Sequence, residues 1–458
     1  MAVRATEGPS AVALALVGLG LVGAYVLATF LTIDSSSYDL WGAMLIGPVL
    51  IALSIPVFAR EARRQQDPRL LWFLLAVLLL KLVGALLRYY VTFSVYGAGD
   101  ATGYHREGVR ISEAFWSGDF DTGLRSLSGT DFISFFTGVV YSITGASKLG
   151  GFLVYSWLSF WGLFFCYRAF VVAVPEGDRR SYAWLVFLLP SLVYWPSSTG
   201  KEAWMLLTIG ITALGVARLF TGRAARGIVL LVGGALLAAI VRPHVAGLLA
   251  IGAGAGLLFH RPARDWARLG PVLKWVGVAM VAGLSVLLVG KTQDFLGTSL
   301  GGDASVLSVE GVVDELESVA DRADTGGSAY EPIVVRSPLQ VPQAVVTVLF
   351  RPFVFEAHNA QALLAGLESA ALLLLVLLRW RWIIAAVKSM RRQAYVAFAA
   401  AYTGMFVIVF AAFPNFGLLA RERVQVLPLF LVLLCVRPLA RRRDRGDEAR
   451  ARVAGAAR

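Results

Sequence analysis

Residues 70–96, LLWFLLAVLLLKLVGALLRYYVTFSVY, run straight into residues 97–108, GAGDATGYHREG, and the reading of this junction decides the fold. The first piece is apolar and long enough to cross about 30 Å of hydrocarbon as a helix. The second is polar, with Asp100 and His105 ionisable, Tyr104 a hydrogen-bonding aromatic, and four glycines that let the backbone approach a ligand closely. The junction therefore puts an acid at a membrane surface. On its own it reads either as a solvated turn after a span or as a reaction centre, and the rest of the chain has to decide.

Outward from this point the apolar pattern repeats. Of 458 residues 57% are hydrophobic and only 16% charged, and the mean hydropathy is +0.69. A soluble globular domain is nearer 45–50% apolar. The expected fold is an all-α polytopic integral membrane protein, with spans near 10–32, 40–58, 70–96, 149–173, 182–197, 202–219, 227–241, 244–259, 271–289, 361–378, 393–413 and 421–437, about twelve helices in all. The first run is too long for a signal-peptide core and reads as a retained span. Residues 1–437 form one transmembrane domain, with an acidic outer loop at 97–148 and a lid-like outer loop at 291–359; 438–458 is a basic tail expected to be disordered.

Charge sets the orientation. Lys and Arg gather at 60–69, 179–180, 218–226, 261–268, 379–392 and in the tail, and cytoplasmic loops carry that excess. Both termini are then cytoplasmic in a bacterial inner membrane, and the acidic loop faces outside. The net charge of +12 is thus one of topology and not of nucleic-acid binding. Residues 131–147 are apolar but short, and are expected to lie in the outer interface without crossing. Residues 305–322 place Val309, Val312, Leu316 and Val319 at helical spacing, an amphipathic helix that is either a lid or a solvated helix packed on neighbouring loops. Cys166 and Cys435 lie in apolar runs, as small buried hydrophobes.

Charges at membrane depth are costly and are functional hypotheses by default. Lys81 and Arg88 stand two turns apart on the third span, and Glu368 on the tenth is available to neutralise Lys81, as a structural ion pair or as part of a pathway. At predicted outer helix ends the cations recur: Lys201 and Glu202 after PSLVYWPSSTG, Arg242 and His244 in VRPH, Arg351 in LFRPF with His358 beyond it, and Arg421 and Arg423 in NFGLLARER. Lys201 opposes the positive end of a helix dipole, so an anion such as phosphate is its natural partner. Arginine forks suit phosphate equally well. A reaction using both sets has Asp100 as general base or as ligand to a divalent metal (Mg or Mn), with the cations stabilising a departing phosphate.

The order of long span, outer GDATGYH, short apolar helix and PSLVYWPSSTGKE resembles membrane glycosyltransferases of the GT-C type, which use polyprenyl-phosphate sugars. RPH, LFRPF and NFGLLARERVQVLP look more like O-antigen-polymerase-like surface-polysaccharide proteins. The resemblance implies a GT-C-like fold, Asp100 as the essential acid, a polyprenyl-phosphate donor and a glycan or lipid-linked acceptor on the extracytoplasmic face. Tyr104, His105, Lys201, Glu202, Arg242, His244, Arg351, His358, Arg421 and Arg423 would then contact substrate. Three spans before the acidic loop and no separate soluble domain depart from the common GT-C pattern. A polymerase using undecaprenyl-pyrophosphate glycan, and a lipid-linked sugar flippase or transporter working through Lys81, Arg88 and Glu368, are the alternatives. No internal repeat is evident, which weakens the transporter.

Overall fold

The computed structural model describes residues 37–260, 337–413 and 415–438, residues 23 and 25–31, and residues 275, 277, 278, 333 and 335. Most of the expected span 271–289 and of the first span, the helix expected at 305–322 and the tail beyond 438 lie outside the described residues. Among these the chain is helical, without a β-strand.

Among the described residues six helices are long and apolar enough to cross a membrane. They are α1 (Tyr38–Gln65), α2 with its π-helical extension (Pro68–Val95), α5 (Lys148–Ala173), α8 (Lys201–Phe220), α9 (Ala224–Val241) and α12 (Ala360–Leu378). Between them come α3 (Asp100–Trp116), α4 (Gly129–Thr144), α6 (Arg179–Leu188), α7 (Pro190–Tyr194), α10 (Pro243–Phe259) and α11 (Val341–Phe350). After α12 follow α13 (Trp380–Ser389), α14 (Ala394–Phe410), α15 (Phe416–Glu422) and α16 (Leu427–Leu433).

The expected count of about twelve is not reached among the described residues, and the reasons are local. The run 182–197 is cut at Leu189, whose extended backbone precedes Pro190, because a residue before proline is driven out of the α region. The run 421–437 is cut by a 3₁₀ turn, Arg423–Gln425, with Pro428 starting a new short helix. The run 244–259 forms a 17-residue helix, α10. Residues 379–392, expected as a loop, contain α13, which meets α14 at 116°, so that the two do not form one straight span. Residues 131–147 give the 16-residue α4, too short to count as a span.

The chain divides into two compact units, residues 1–157 with 197–200, and residues 158–196 with 201–458. In the first, α3 and α4 pack through glycines. A Cβ on Gly108 would lie 2.7 Å from Thr137 Cγ2, and one on Gly138 would lie 2.5 Å from Ile111 Cγ2. Each helix thus offers a notch to the other's branched side chain. In the second unit the same device joins longer helices: a Cβ on Gly162 of α5 would fall 2.2 Å from the Leu206 carbonyl oxygen of α8, and one on Gly215 of α8 would fall 2.3 Å from Leu231 N of α9. Small residues let backbones touch where lipid supplies no hydrophobic drive for association.

Candidate functional site

Asp100 is not in a loop. The chain leaves α2 through the π-helical turn Val91–Val95, takes a left-handed step at Gly97 (φ +78°), and begins α3 at Asp100. Asp100 is exposed at the first helical position, where its charge complements the positive end of the helix dipole. The expected glycine-rich loop is therefore the first two turns of an amphipathic helix, whose buried face carries Ala101, Tyr104, Gly108 and Ile111. Tyr104 is 4% exposed, so it is a packing residue of this face.

His105 points to α4, where its Nδ1 lies 2.9 Å from the Tyr141 hydroxyl. Burial and the Lys148 ammonium push the His105 imidazole below its usual range, and Asp39 opposes them. Burial raises the Tyr141 phenol, helped by the charge of Asp39. At neutral pH the pair is an uncharged imidazole against a protonated phenol. Asp39 also accepts from Lys148 N–H at 2.6 Å, which ties the start of α1 to the start of α5. Asp39, Tyr141 and Lys148 are the members that sequence reasoning missed as a group. Their separation along the chain hides them, although each stands at a helix end on the predicted outer side.

Lys81 is 2% exposed in the middle of α2, and Arg88 is half-buried two turns on. Ser156 donates to the Lys81 carbonyl at 2.9 Å. Glu368, offered by the sequence as the counter-charge to Lys81, is engaged within the second unit. Its carboxylate accepts from Ser191 N–H at 2.7 Å and from the Ser191 hydroxyl, and its charge faces Arg423.

Four residues of the second unit do converge. Glu202, in the first turn of α8, accepts from Arg421 Nε at 2.8 Å and from Arg421 Nη2 at 3.1 Å, and from Arg242 Nη2 at 3.1 Å. Arg242, between α9 and α10, also pairs with Glu422, which accepts from Gln425 as well. Pro243 opens α10 immediately after Arg242, where its fixed φ suits a helix start and turns Arg242 out of the helical path. Two arginines thus balance two glutamates. The glutamate side chains are 3% and 5% exposed, whereas those of Arg242 and Arg421 are 13% and 24% exposed. The carboxylates lie beneath and aim the guanidinium groups outward. Glu202, expected to contact substrate, is instead their counter-ion.

His244 lies within electrostatic reach of Arg242 and of Lys201. Arg423 is 1% exposed, and its Nη1 donates to the Leu349 and Arg351 carbonyls and to Ser369 Oγ. That corrects its expected substrate role, because a guanidinium so enclosed braces the junction of α11 with α12. Arg351 pairs with Glu356 and lies over the Phe416 ring at 4.6 Å. His244 meets Phe410 at the end of α14 with ring centroids 6.1 Å apart, Lys201 is half-buried at the start of α8, and His358 is exposed before α12. Among the described residues no three His, Cys, Asp or Glu side chains gather as a metal site. Asp100 alone does not fit a resident divalent ion.

No protein-family model matches the chain, and no curated protein or solved structure matches it.

Proposed function

We propose that the protein is a membrane glycosyltransferase of GT-C type that moves a sugar from a polyprenyl-phosphate-linked donor to a cell-envelope glycan or lipid acceptor on the extracytoplasmic face. The observation that carries this reading is the pair of guanidinium groups, Arg242 and Arg421, held by Glu202 and Glu422 at helix junctions. Fixed, partly exposed arginine forks are suited to a phosphate whose charge grows as the glycosidic bond breaks. Asp100, exposed where α3 begins in the first unit, is proposed from the GDATGYH resemblance alone as the base that takes the proton of the attacking hydroxyl. The acceptor oxygen forms the new bond to the anomeric carbon, and the polyprenyl phosphate leaves with the bonding electrons.

The polymerase reading has one observation in its favour. The arginines converge, as a pyrophosphate clamp requires, while Asp100 stands exposed with its charge already matched to a helix terminus. The two readings separate by mutation in cells. Arg242→Ala and Arg421→Ala accumulate single repeat units on lipid if the protein polymerises, and abolish sugar addition if it is a simple transferase. Asp100→Asn abolishes transfer only in the second case. Unchanged glycan in all three variants overturns both.

A further inference from the structure

A second charged site lies at the other end of α14. A cavity of about 630 Å³ is bordered by Arg381, Lys388, Arg392 and Arg437, with Glu176 the one acid among its lining residues. Four cations face one lining carboxylate, with Asp178 4.0 Å from Arg437 beyond the lining, so the cavity keeps a net positive charge, unlike the balanced Glu202 network. The two sites are separated by the length of α14. Gln393 stands just before its start, without a side-chain capping bond, and lines the cavity, while Phe410 ends it beside His244. That length is 17 residues, roughly 25 Å at about 1.5 Å per residue.

The cavity is built by one helix face. Arg381, Ile384, Ala385 and Lys388 line it, and their spacing of three, four and seven places them on one side of α13. The adjoining side of α13 carries Trp380, over whose ring the Arg381 guanidinium lies at 5.5 Å, and Val387; these are 52% and 55% exposed, and Leu377 and Leu378 at the end of α12 are more exposed still. An amphipathic helix with an exposed Trp beside a basic pocket is the arrangement of a segment lying at a lipid interface. Gln393 adds a polar group without a counterpart. Its side-chain oxygen is buried with no hydrogen-bond partner among the described residues, and the carboxamide can present either its acceptor or its donors to a ligand.

We propose that this cavity binds the phosphate of an anionic phospholipid headgroup, with the acyl chains lying along the apolar side of α13 and the end of α12. The ligand chemistry is a phosphate oxyanion. The exposed apolar residues beside the pocket assign it to a lipid instead of to free phosphate. Guanidinium and ammonium groups contact the phosphate oxygens, and Glu176 sets a limit on how many negative charges the headgroup carries. The site does not depend on the glycosyl-transfer reading.

The full-length protein is delipidated in a neutral detergent and titrated separately with phosphatidylglycerol, phosphatidylcholine of the same acyl chains, and inorganic phosphate, with bound ligand counted by native mass spectrometry. Phosphatidylglycerol is retained at least about tenfold more tightly than phosphatidylcholine. Arg381→Gln with Arg392→Gln reduces its affinity about tenfold or more, as expected for losing charge-assisted contacts. Arg381→Lys with Arg392→Lys retains most of it. Because both positions are exposed, the variants are expected to fold, and an unchanged melting temperature in the absence of lipid checks this. Lys388→Gln provides a second, single-site arm with a smaller loss. Equal retention of the two lipids, or equal phosphatidylglycerol binding by wild type and the Gln variants, overturns the proposal. Saturable binding of inorganic phosphate without lipid preference overturns the assignment to lipid.

Discussion

Glu202→Gln is the substitution whose cost follows most directly from the geometry. The carboxylate is all but enclosed and receives two donors from Arg421 and one from Arg242. A glutamine whose carbonyl oxygen takes the place of Oε1 keeps the Arg421 Nε and Arg242 donors but without the negative charge, and its NH₂ replaces Oε2 against Arg421 Nη2, so at least one bond is lost outright and one positive charge is left without compensation. Removing one partner of a buried pair costs about 3–5 kcal/mol. Arg421→Met is expected to cost a similar amount, since it strands Glu202 beside a single arginine. The double variant removes one charge of each sign and leaves Arg242 paired with Glu422. It should therefore be more stable than the sum of the single effects by about 1–3 kcal/mol. Equilibrium unfolding of the full chain in mixed micelles measures all three. Single effects below about 0.5 kcal/mol, as for exposed pairs, or strict additivity, would refute the buried four-residue network.

Three further outcomes are expected. Because the His105 pKa lies below the ordinary 6.5, the unfolded chain binds the extra proton first as pH falls; stability from His105 is complete above about 6.5 and declines below it, and His105→Gln should flatten that part of a melting-temperature profile. Gly138→Val should destabilise by about 1–3 kcal/mol, since its side chain would collide with Ile111, and Ile111→Ala should restore part of the loss in the same melting assay. Gly103 has open space around it, and Cys166 and Cys435 are buried, so Gly103→Cys and Lys388→Cys in intact cells should label from outside and only after permeabilisation, respectively; the reverse pattern would invert the orientation.

Apolar runs with clean ends were legible in the sequence. The spans expected at 149–173, 202–219, 227–241 and 361–378 differ from α5, α8, α9 and α12 by three residues at most at either end, because no proline interrupts them and the charges within them, Arg168 and Glu368 among them, are isolated. Where proline or charge intervenes, length alone misleads. Leu189 and Pro190 break one expected span, and Arg423 sits in a 3₁₀ turn inside another. WRWIIAAVKS, read as a basic loop, is an amphipathic helix because its cations return every seven residues.

The convergence of Arg242 with Arg421 was expected only as a shared side of the membrane. Their partners are what the sequence concealed. Glu202 and Glu422 carry no signal that distinguishes a counter-ion from a substrate ligand until their burial is known. In the same way GDATGYH looks like a catalytic loop because glycine and aspartate also open helices, and Gly108 is needed for Thr137, 29 positions away and not a neighbour in any local pattern. Long-range pairings of this kind decide which polar residues remain available for chemistry.

The most direct test of the account is transfer by the purified, lipid-reconstituted protein from a radiolabelled polyprenyl-phosphate sugar to an envelope-glycan acceptor. Glycosyl transfer that falls at least about a hundredfold in Arg421→Ala, and recovers in part in Arg421→Lys, is the predicted result, consistent with the loss of about 3 kcal/mol of transition-state stabilisation. Donor turnover that is the same in wild type and Arg421→Ala would contradict it.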